Sequence, residues 1–549
     1  MILILIYWLI LFGFFFFISE RIRVLKDSEY KFSLAFLTVY GALSLVFTLT
    51  SLFGGIPQFL DYIIVAFGLV GVGLFLKNNH FQFDKSKLIE VVFISILFLG
   101  WSSYYPRLPD EGLYYNQAVS WFQEYGLVKG LGNFDLFLSQ GSAFHMLCAV
   151  FNLDSLIYSN DFSGFFGLLF VIETLLLKNS NKWFKLLILL LSPVLLLLST
   201  SESPDLILIV GVVVYTYSWL TRNLKSYHAL ILLGLVLTKM NMLVFAGFFG
   251  IIHWIELKNW KYGAIVLAGF SLHFIKSYWL TGYLAAPFSM LFQLDAAHQI
   301  PQAAIEYSKI SGVRIGYNTT FEAVSNWTFI DRISHLTDLG ILELASLVLI
   351  ILLSIYLLVK QKLEVSNKLF VLGQIIFLLV WLYLSPQVRL LLPMLMGFLV
   401  FLIYRSPVNG KSRVLNYISY GVYALLFIIT FIPLGHLNFI SENKTLATFE
   451  GVSAKFLVTP PPKEFPYEFD EEEVNGVAYY KPAERAYCYD GPFPCQGSML
   501  RTYNSDSVFM PEMLGESLKD GFTYKSISRT EFDTMLLDKY NAYTINDWH

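Results

Sequence analysis

Two neighbouring carboxylates, Asp110 and Glu111, stand in the stretch YYPRLPDEGLYYNQAVSWFQEYG (residues 104–126), directly after a long apolar run. An aspartate at the start of an interfacial helix can accept a proton from a bound hydroxyl, and partial burial would raise its pKa toward a useful range. Asp110 is therefore a candidate general base, with Glu111 as a candidate catalytic group beside it. The alternative is structural: Asp110 follows Pro109 and could be a helix N-cap, with Glu111 favoured in the first turn by the helix dipole.

Three other ionisable residues stand in or beside apolar runs, where charges are costly and often functional. Asp205, in STSESPDLILIV, could be a second acid bordering the same cavity, or a helix N-cap after Pro204. Lys239, in LTKMN, could contact a phosphate, or it could extend its amine to the membrane surface. Arg389, in SPQVRLLLPML, begins a late apolar segment, where a guanidinium could bind a phosphate or lie at the membrane interface.

The cysteines predict one disulfide. Cys488 and Cys495 stand close together in YCYDGPFPCQG, where an oxidising compartment would permit a small disulfide loop, with two free thiols as the alternative. Cys148 is isolated in an apolar stretch and is expected to pack in the interior.

No zinc-ligand spacing is visible, so the sequence predicts no metal site and requires no cofactor, while it remains compatible with a divalent cation. The scattered histidines are expected to be ordinary helix or loop residues: His145, His253, His273 and His298. The absence of a phosphate-binding P-loop and of a G-x-G-x-x-G turn after a strand argues against a nucleotide-sugar donor.

The elements that position these residues must be membrane helices. The chain has 549 residues, of which 56% are hydrophobic and only 14% are charged, with a net charge of −3. This composition excludes an ordinary soluble enzyme and gives no sign of nucleic-acid binding. We expect an all-α polytopic membrane protein of about fourteen transmembrane helices, because apolar runs of roughly bilayer length recur along the chain. The predicted spans are 1–18, 32–53, 57–76, 87–105, 161–177, 186–200, 205–220, 228–239, 240–256, 262–281, 339–359, 368–385, 389–404 and 414–435.

The distribution of Lys and Arg predicts the orientation. Short basic loops are expected in the cytoplasm, which leaves 106–160, 282–338 and the tail from 436 outside. The first span has no small-residue cleavage site after it and is expected to be an uncleaved anchor. Segment 228–256 is one tilted helix or two helices broken near Lys239, and the charge pattern favours two.

We divide the chain into an N-terminal three-helix addition (1–86), a membrane body (87–435) and a soluble domain (436–549). The last is expected to be a small α/β or β-rich domain, because KFLVT and GVAYYKP alternate like strands. Its acidic run Asp470–Glu473 is expected to be a solvated loop.

The two external loops are predicted to cover the membrane body. Residues 110–126 carry an amphipathic helix pattern suited to the membrane interface. A second apolar stretch, 136–151, follows later in the chain. The segment 142–153 is expected to lie along the interface. Residues 295–338 are expected to form a long loop that could close over a substrate.

The motif DE-x-x-YY after an outward-going helix, followed by two interfacial helices, resembles the GT-C superfamily of integral-membrane glycosyltransferases. The stretch DEGLYYNQAVSWFQEYGLVKGLGNFD and the tail motif PFPC (492–495) are similar to a family of bacterial multispan membrane proteins. Members of that family carry D-x-x-x-Y-H…W…E-x-x-x-V-x-G-L-G-N here and a PC motif in the tail. Tyr115 stands where these relatives usually have His, so no histidine role is carried over.

The resemblance implies a GT-C-like core in which the loop acid, Asp110, is catalytic and the donor is a sugar on a polyprenyl phosphate. Arg389 matches the Arg of the R-x-x-L-P element that steadies the donor phosphate, a Lys occurs near the place of Lys239, and Asp205 matches a second acidic position. The implied reaction is an inverting transfer to a glycan, lipid or protein acceptor outside a bacterial plasma membrane. The alternatives are a transporter or flippase for a lipid-linked glycan and a non-catalytic assembly protein.

Overall fold

The apolar segments form α-helices, in which every backbone N–H and C=O is satisfied without water. The computed structural model describes residues 2–22, 29–78, 85–103, 108, 110–151, 160–177, 181–288, 294–360, 364–405, 413–431, 468–474, 476–482, 488, 491–496 and 511–524. The α-helices in these residues are α1 (Ile2–Arg21), α2 (Lys31–Thr50), α3 (Phe59–Asn78), α4 (Lys85–Ser102), α5 (Asn116–Glu124), α6 (Leu131–Phe134), α7 (Ala143–Cys148), α8 (Asn160–Leu176), α9 (Lys182–Leu198), α10 (Pro204–Leu220), α11 (His228–Thr238), α12 (Met242–Leu257), α13 (Trp260–Thr281), α14 (Gln302–Tyr317), α15 (Phe321–Ser325), α16 (Phe329–Ser334), α17 (Ile341–Lys360), α18 (Val365–Leu384), α19 (Val388–Arg405) and α20 (Arg413–Phe431).

Each predicted span coincides with a helix, namely α1–α4, α8–α13 and α17–α20. Within the described residues, seven helices are long and apolar enough to cross a membrane: α1, α2, α3, α13, α17, α18 and α19. The protein is therefore a helical membrane protein. Several other apolar helices are shorter, including α8, α10, α11 and α12.

The apolar segment 228–256 is divided into two helices, as the charge pattern favoured. Helix α11 ends at Thr238, Lys239 is extended (φ −143°, ψ 141°), and α12 starts at Met242. The break places the Lys239 side chain beside Asp205, 34 residues earlier in the chain. The Asp205–Lys239 ion pair thus lies at the break between α11 and α12.

Helix α2 packs against helices α8 and α11 of the membrane body. The carboxylate of Glu173 in α8 accepts hydrogen bonds from the backbone N–H groups of Phe32 (2.6 Å) and Ser33 (2.7 Å) at the start of α2. Gly41 lies so close to α11 that a Cβ there would stand 1.9 Å from the carbonyl oxygen of Leu230. The division of the chain at residue 86 stays a prediction.

The first loop predicted to be external, which we continue to call the first external loop, is folded and largely buried over residues 110–151. A π-helical turn (Glu111–Tyr115) leads into α5, where the amphipathic pattern predicted a helix, and Trp121 and Gln117 on α5 are buried. A 3₁₀ turn (Leu136–Gln140) and α7 follow, their first turns capped by Asp135 and Ser142. The apolar stretch 136–151 thus lies within the protein.

The segment 295–338, predicted to be a long external loop, is largely helical. It contains α14, α15, α16 and a 3₁₀ turn (Leu336–Asp338). A side-chain and backbone capping box between Thr328 and Asp331 starts α16. Weak hydrophobic periodicity concealed these helices in the sequence.

The C-terminal region contributes two antiparallel hairpins, β1 (Phe469–Val474) with β2 (Val477–Pro482) and β3 (Pro511–Met513) with β4 (Phe522–Tyr524). The segment GVAYYKP contains β2, whereas KFLVT lies outside the described residues. The acidic run Asp470–Glu473 is largely exposed, as a solvated segment should be, but it forms strand β1 and not a loop. Glu472 forms a salt bridge with Lys481 on β2.

These C-terminal segments dock on the first external loop. Cys488 and Cys495 are joined by a disulfide, and the backbone N–H of Cys495 donates to Oε1 of Gln117 (2.9 Å). The backbone N–H of Phe522 donates to the carbonyl of Lys129 (2.9 Å). The disulfide hairpin therefore holds the helix that follows Asp110.

Candidate functional site

A cavity of about 490 Å³ lies between the first external loop and the membrane helices. Its walls come from the start of the π-helical turn, the 3₁₀ turn 136–140, the α11–α12 break, α13, α14, α18 and the start of α19. We call it the central cavity. It collects polar residues from segments that are far apart in the sequence.

Asp110 and Arg389 meet at the central cavity, although 279 positions separate them. Arg389 Nη1 donates to Asp110 Oδ2, and the Tyr115 hydroxyl donates to the same oxygen (3.3 Å). The Nε of Arg389 is oriented by the side-chain oxygen of Gln387 (3.1 Å). The Asp110 side chain is 15% exposed and that of Arg389 is 47% exposed, so the pair faces the cavity and remains reachable.

The helix-cap interpretation of Asp110 is wrong, because its carboxylate accepts no hydrogen bond from the following backbone N–H groups. Its oxygen is held by Arg389 and Tyr115 instead. Burial keeps the pKa of Tyr115 well above its usual range, so this phenol stays protonated as a donor.

Asp205 and Lys239 form a second ion pair (2.5 Å) in which the carboxylate is almost fully buried. Lys239 lines the central cavity, and Asp205 stands behind it. The helix-cap interpretation of Asp205 is also wrong, because the cap of α10 is Ser203, whose hydroxyl accepts from the Asp205 N–H (3.3 Å). Asp205 therefore orients Lys239 and does not itself border the cavity.

Glu111 is placed differently from its neighbour. It is buried, is not part of the cavity wall, and accepts a hydrogen bond from the backbone N–H of Glu202 (2.8 Å). This contact joins the first external loop to the turn between α9 and α10. The geometry gives Glu111 a structural contact, and its assignment as a catalytic group stays a prediction.

Two lysines of the cavity wall were not predicted from the sequence. Lys276, in α13, is 1% exposed, and its Nζ donates to the carbonyls of Gly141 (2.7 Å) and Leu237 (2.6 Å). Lys309, in α14, places its Nζ over the ring of Tyr383 (5.5 Å to the centroid). The rule that singled out Lys239, an ionisable group inside an apolar segment, would also have found Lys276.

The histidines do not assemble into a metal site. Burial lowers the pKa of His145 to about 3, so its ring is neutral, and its Nε2 contacts the carbonyl of Glu202 (3.1 Å). The ring of His253 contacts the Tyr215 hydroxyl (2.7 Å), and His298 contacts the carbonyl of Tyr278 (2.9 Å). In the described ranges no group of three or more His, Cys, Asp or Glu could hold a metal ion. His273 alone of the four lines the central cavity.

The charges of the wall favour an anionic ligand. Its four cations are Lys239, Lys276, Lys309 and Arg389, and its one acidic residue is Asp110, with Asp205 behind the wall. Within the described part of the chain, Lys276 and Lys309 have no carboxylate partner. A concave surface with uncompensated positive charge attracts phosphate or carboxylate groups.

Part of the wall of the central cavity is apolar. Phe377, Val380, Trp381 and Leu384 recur at helical spacing along one face of α18. Such a face can hold hydrocarbon but offers nothing to a free polar solute. The arrangement suits an amphiphile whose charged group lies beside Arg389.

Comparison with known proteins identifies the family alone. No curated protein and no solved structure matches the chain. The chain belongs to the family described as a domain of unknown function (DUF8201), whose model matches residues 1–396 and so includes every residue that lines the central cavity.

Proposed function

We propose that the protein is a GT-C-type membrane glycosyltransferase that moves a sugar from a polyprenyl-phosphate donor to an acceptor with inversion. The observation that carries the proposal is the meeting of Asp110 and Arg389 at one cavity that also contains Lys239 and an apolar wall. A carboxylate, phosphate-binding cations and a hydrocarbon-binding face are the three groups that this reaction requires.

The donor would bind by displacing Asp110 from Arg389. A guanidinium binds phosphate oxygens in a planar, paired geometry, and the phosphate would take over the Nη1 donor that Asp110 now holds. Lys239, oriented by Asp205, would supply a second cation. The face of α18 that contains Trp381 would hold the first isoprene units.

Displacement leaves Asp110 free to act as the base. The acceptor hydroxyl gives its proton to the Asp110 carboxylate while its oxygen attacks the anomeric carbon of the donor. The bond from that carbon to the phosphate oxygen breaks, and its electron pair leaves with the polyprenyl phosphate. Arg389 and Lys239 stabilise the charge that develops on the phosphate. Attack opposite the leaving group inverts the anomeric configuration.

The proposal includes a topology. About fourteen helices would cross a bacterial plasma membrane, since the bilayer can thin locally around short helices such as α11 and α12. The first loop, the second loop and residues 436–549 would lie outside, where an oxidising compartment permits the Cys488–Cys495 disulfide. The acceptor, a glycan, lipid or protein, would then be reached from the outer face.

A deletion strain complemented with wild-type protein, Asp110→Asn or Asp295→Asn tests the proposal. Asp295 is exposed in the second external loop and lies outside the cavity wall, so it is a matched control. At equal protein level in the membrane, we expect Asp110→Asn to lose or truncate the surface glycan and to accumulate the lipid-linked sugar. Asp295→Asn should restore both to normal.

Two other outcomes would replace the proposal. A normal surface glycan with Asp110→Asn would remove Asp110 from catalysis and favour an assembly protein. The accumulated lipid-linked sugar can also be probed with an impermeant lectin in intact cells. If the lectin does not reach this sugar, the sugar is held on the cytoplasmic leaflet, and a flippase is favoured.

A further inference from the structure

Two buried polar atoms in the wall of the central cavity have no hydrogen-bond partner in the described part of the chain. They are Oδ1 of Asn241, at the α11–α12 break, and Nδ1 of His273, in α13. His273 is only 4% exposed. Buried polar atoms are nearly always paired, so unpaired ones on a cavity wall point to a ligand that completes them.

His273 contributes an unused ring nitrogen to the cavity wall. Its Nδ1 has no hydrogen-bond partner among the described residues. An imidazole nitrogen is either a donor or an acceptor, and a hydroxyl group, which both donates and accepts, complements either state. His273 therefore offers a hydrogen-bonding position to a ligand hydroxyl.

Lys276 adds a donor beside these two atoms. It follows His273 by three positions on α13, so the two side chains lie on the same face of the helix. An ammonium group has three donors, of which two are used by the carbonyls of Gly141 and Leu237. The third donor of Lys276 therefore stays open to a ligand oxygen.

We propose that Asn241, His273 and Lys276 form a subsite for the hydroxyl groups of a sugar ring, separate from the phosphate site at Arg389. A hydroxyl group both donates and accepts, so hydroxyls match the Asn241 oxygen, the Lys276 ammonium and either state of His273 Nδ1. Phosphate oxygens only accept and would face the lone pairs of Asn241 Oδ1. The identification of this sugar as the one transferred from the donor rests on the proposed function.

The subsite is tested by binding alone, with purified full-length protein in detergent. The probes are a panel of neutral methyl hexopyranosides and methyl N-acetylhexosaminides, and a polyprenyl phosphate without a sugar. We expect Asn241→Leu and His273→Leu each to weaken binding of the preferred methyl glycoside at least about tenfold, while binding of the polyprenyl phosphate hardly changes. His273→Gln, which restores a hydrogen-bonding group, should recover part of the loss.

Arg389→Gln should give the opposite pattern, with weaker polyprenyl-phosphate binding and normal glycoside binding. The proposal is overturned if no glycoside of the panel binds the wild type, or if the leucine variants bind the preferred glycoside normally. It is also overturned if these variants keep the wild-type unfolding midpoint but no longer bind either the glycoside or the polyprenyl phosphate. No step of the assay requires transfer, so failure of Asp110 as a base would leave this result intact.

Discussion

At the scale of single residues, the sequence identified four charged groups in or behind the cavity wall, but neither their pairing nor the two lysines Lys276 and Lys309. Asp110, Asp205, Lys239 and Arg389 were each visible as an ionisable group in or beside an apolar segment. Their partners were not visible, because Asp110 and Arg389 are 279 positions apart and no local pattern links them. The helix-cap alternatives were wrong for the same reason, since the contacts that replace the caps are long-range.

The Asp110–Arg389 pair predicts an increase in phosphate affinity when the acid is removed. Asp110 and the donor phosphate compete for the same guanidinium N–H groups. We therefore expect Asp110→Asn to bind sugar-free polyprenyl phosphate several-fold more tightly, up to about tenfold, while it loses transfer. Titration of purified protein in detergent measures the dissociation constant, with Asp295→Asn as the control. Unchanged or weaker binding would mean that Arg389 does not hold the phosphate.

Asp135 predicts a pH dependence of stability that is independent of the cavity chemistry. Burial raises its pKa from 3.8 to about 7, while its Oδ1 accepts from the backbone N–H of Phe137 (2.8 Å). Between pH 3.8 and about 7 the folded state keeps a proton that the unfolded chain releases. Stability therefore falls as pH rises through this window and levels off above it.

Asp135→Asn keeps the hydrogen-bond acceptor and removes the titration. From about pH 5 to about pH 8 we expect the wild type to lose about 3 kcal/mol more stability than this variant. Unfolding of both proteins in detergent at the two pH values measures the difference. Parallel pH curves for the two proteins would show that Asp135 is not held neutral.

At the scale of elements, local sequence determined most helices and the tertiary context determined the rest. Each long apolar segment became a helix, and the α11–α12 break followed from Lys239 and the charge pattern. Helix α14 and strand β1 were missed, because α14 has little amphipathic periodicity and β1 is formed by an acidic run. Its cross-strand partners, including Lys481, supply the opposite charge that the run itself lacks.

The close approach of α2 and α11 predicts a large difference between two glycine substitutions. A Cβ at Gly41 would stand 1.9 Å from the carbonyl oxygen of Leu230, whereas a Cβ at Gly73, in α3, meets nothing within 4 Å. Gly41→Val should lower stability by about 3 kcal/mol or more and reduce the protein level in the membrane, because the backbones must separate. Gly73→Val should be nearly neutral. Equal membrane levels and equal unfolding midpoints would show that α2 does not pack in the body as described.

At the scale of the whole molecule, the sequence predicted a membrane body with outer loops and a tail, but not how they combine. The docking of the C-terminal hairpins on the first loop depends on single hydrogen bonds such as that from Cys495 to Gln117, which span hundreds of positions. Composition marks the tail as a different kind of segment without revealing its contacts. Because such contacts join residues that are far apart in the sequence, no local sequence pattern predicts them.

The proposed orientation predicts the labelling of two introduced cysteines. Asn223, between α10 and α11, and Thr337, after α16, are both exposed. Positive charge near Asn223 predicts a cytoplasmic position, while Thr337 belongs to an outer loop. In intact cells an impermeant maleimide should label Thr337→Cys and not Asn223→Cys, which should react only after permeabilisation. The native cysteines give little background, since Cys148 is buried and the other two are disulfide-bonded. The reverse pattern would invert the topology.

The most direct measurement of the central claim is release of polyprenyl phosphate by the reconstituted protein. Lipid extract from the Asp110→Asn strain supplies the donor, and delipidated envelope from the deletion strain supplies the acceptor. We expect wild-type proteoliposomes to release polyprenyl phosphate at least about 100-fold faster than Asp110→Asn proteoliposomes, as removal of a general base requires. Equal rates for the two proteins, or no release above protein-free liposomes, would contradict the assignment of Asp110 as the base of a glycosyltransferase.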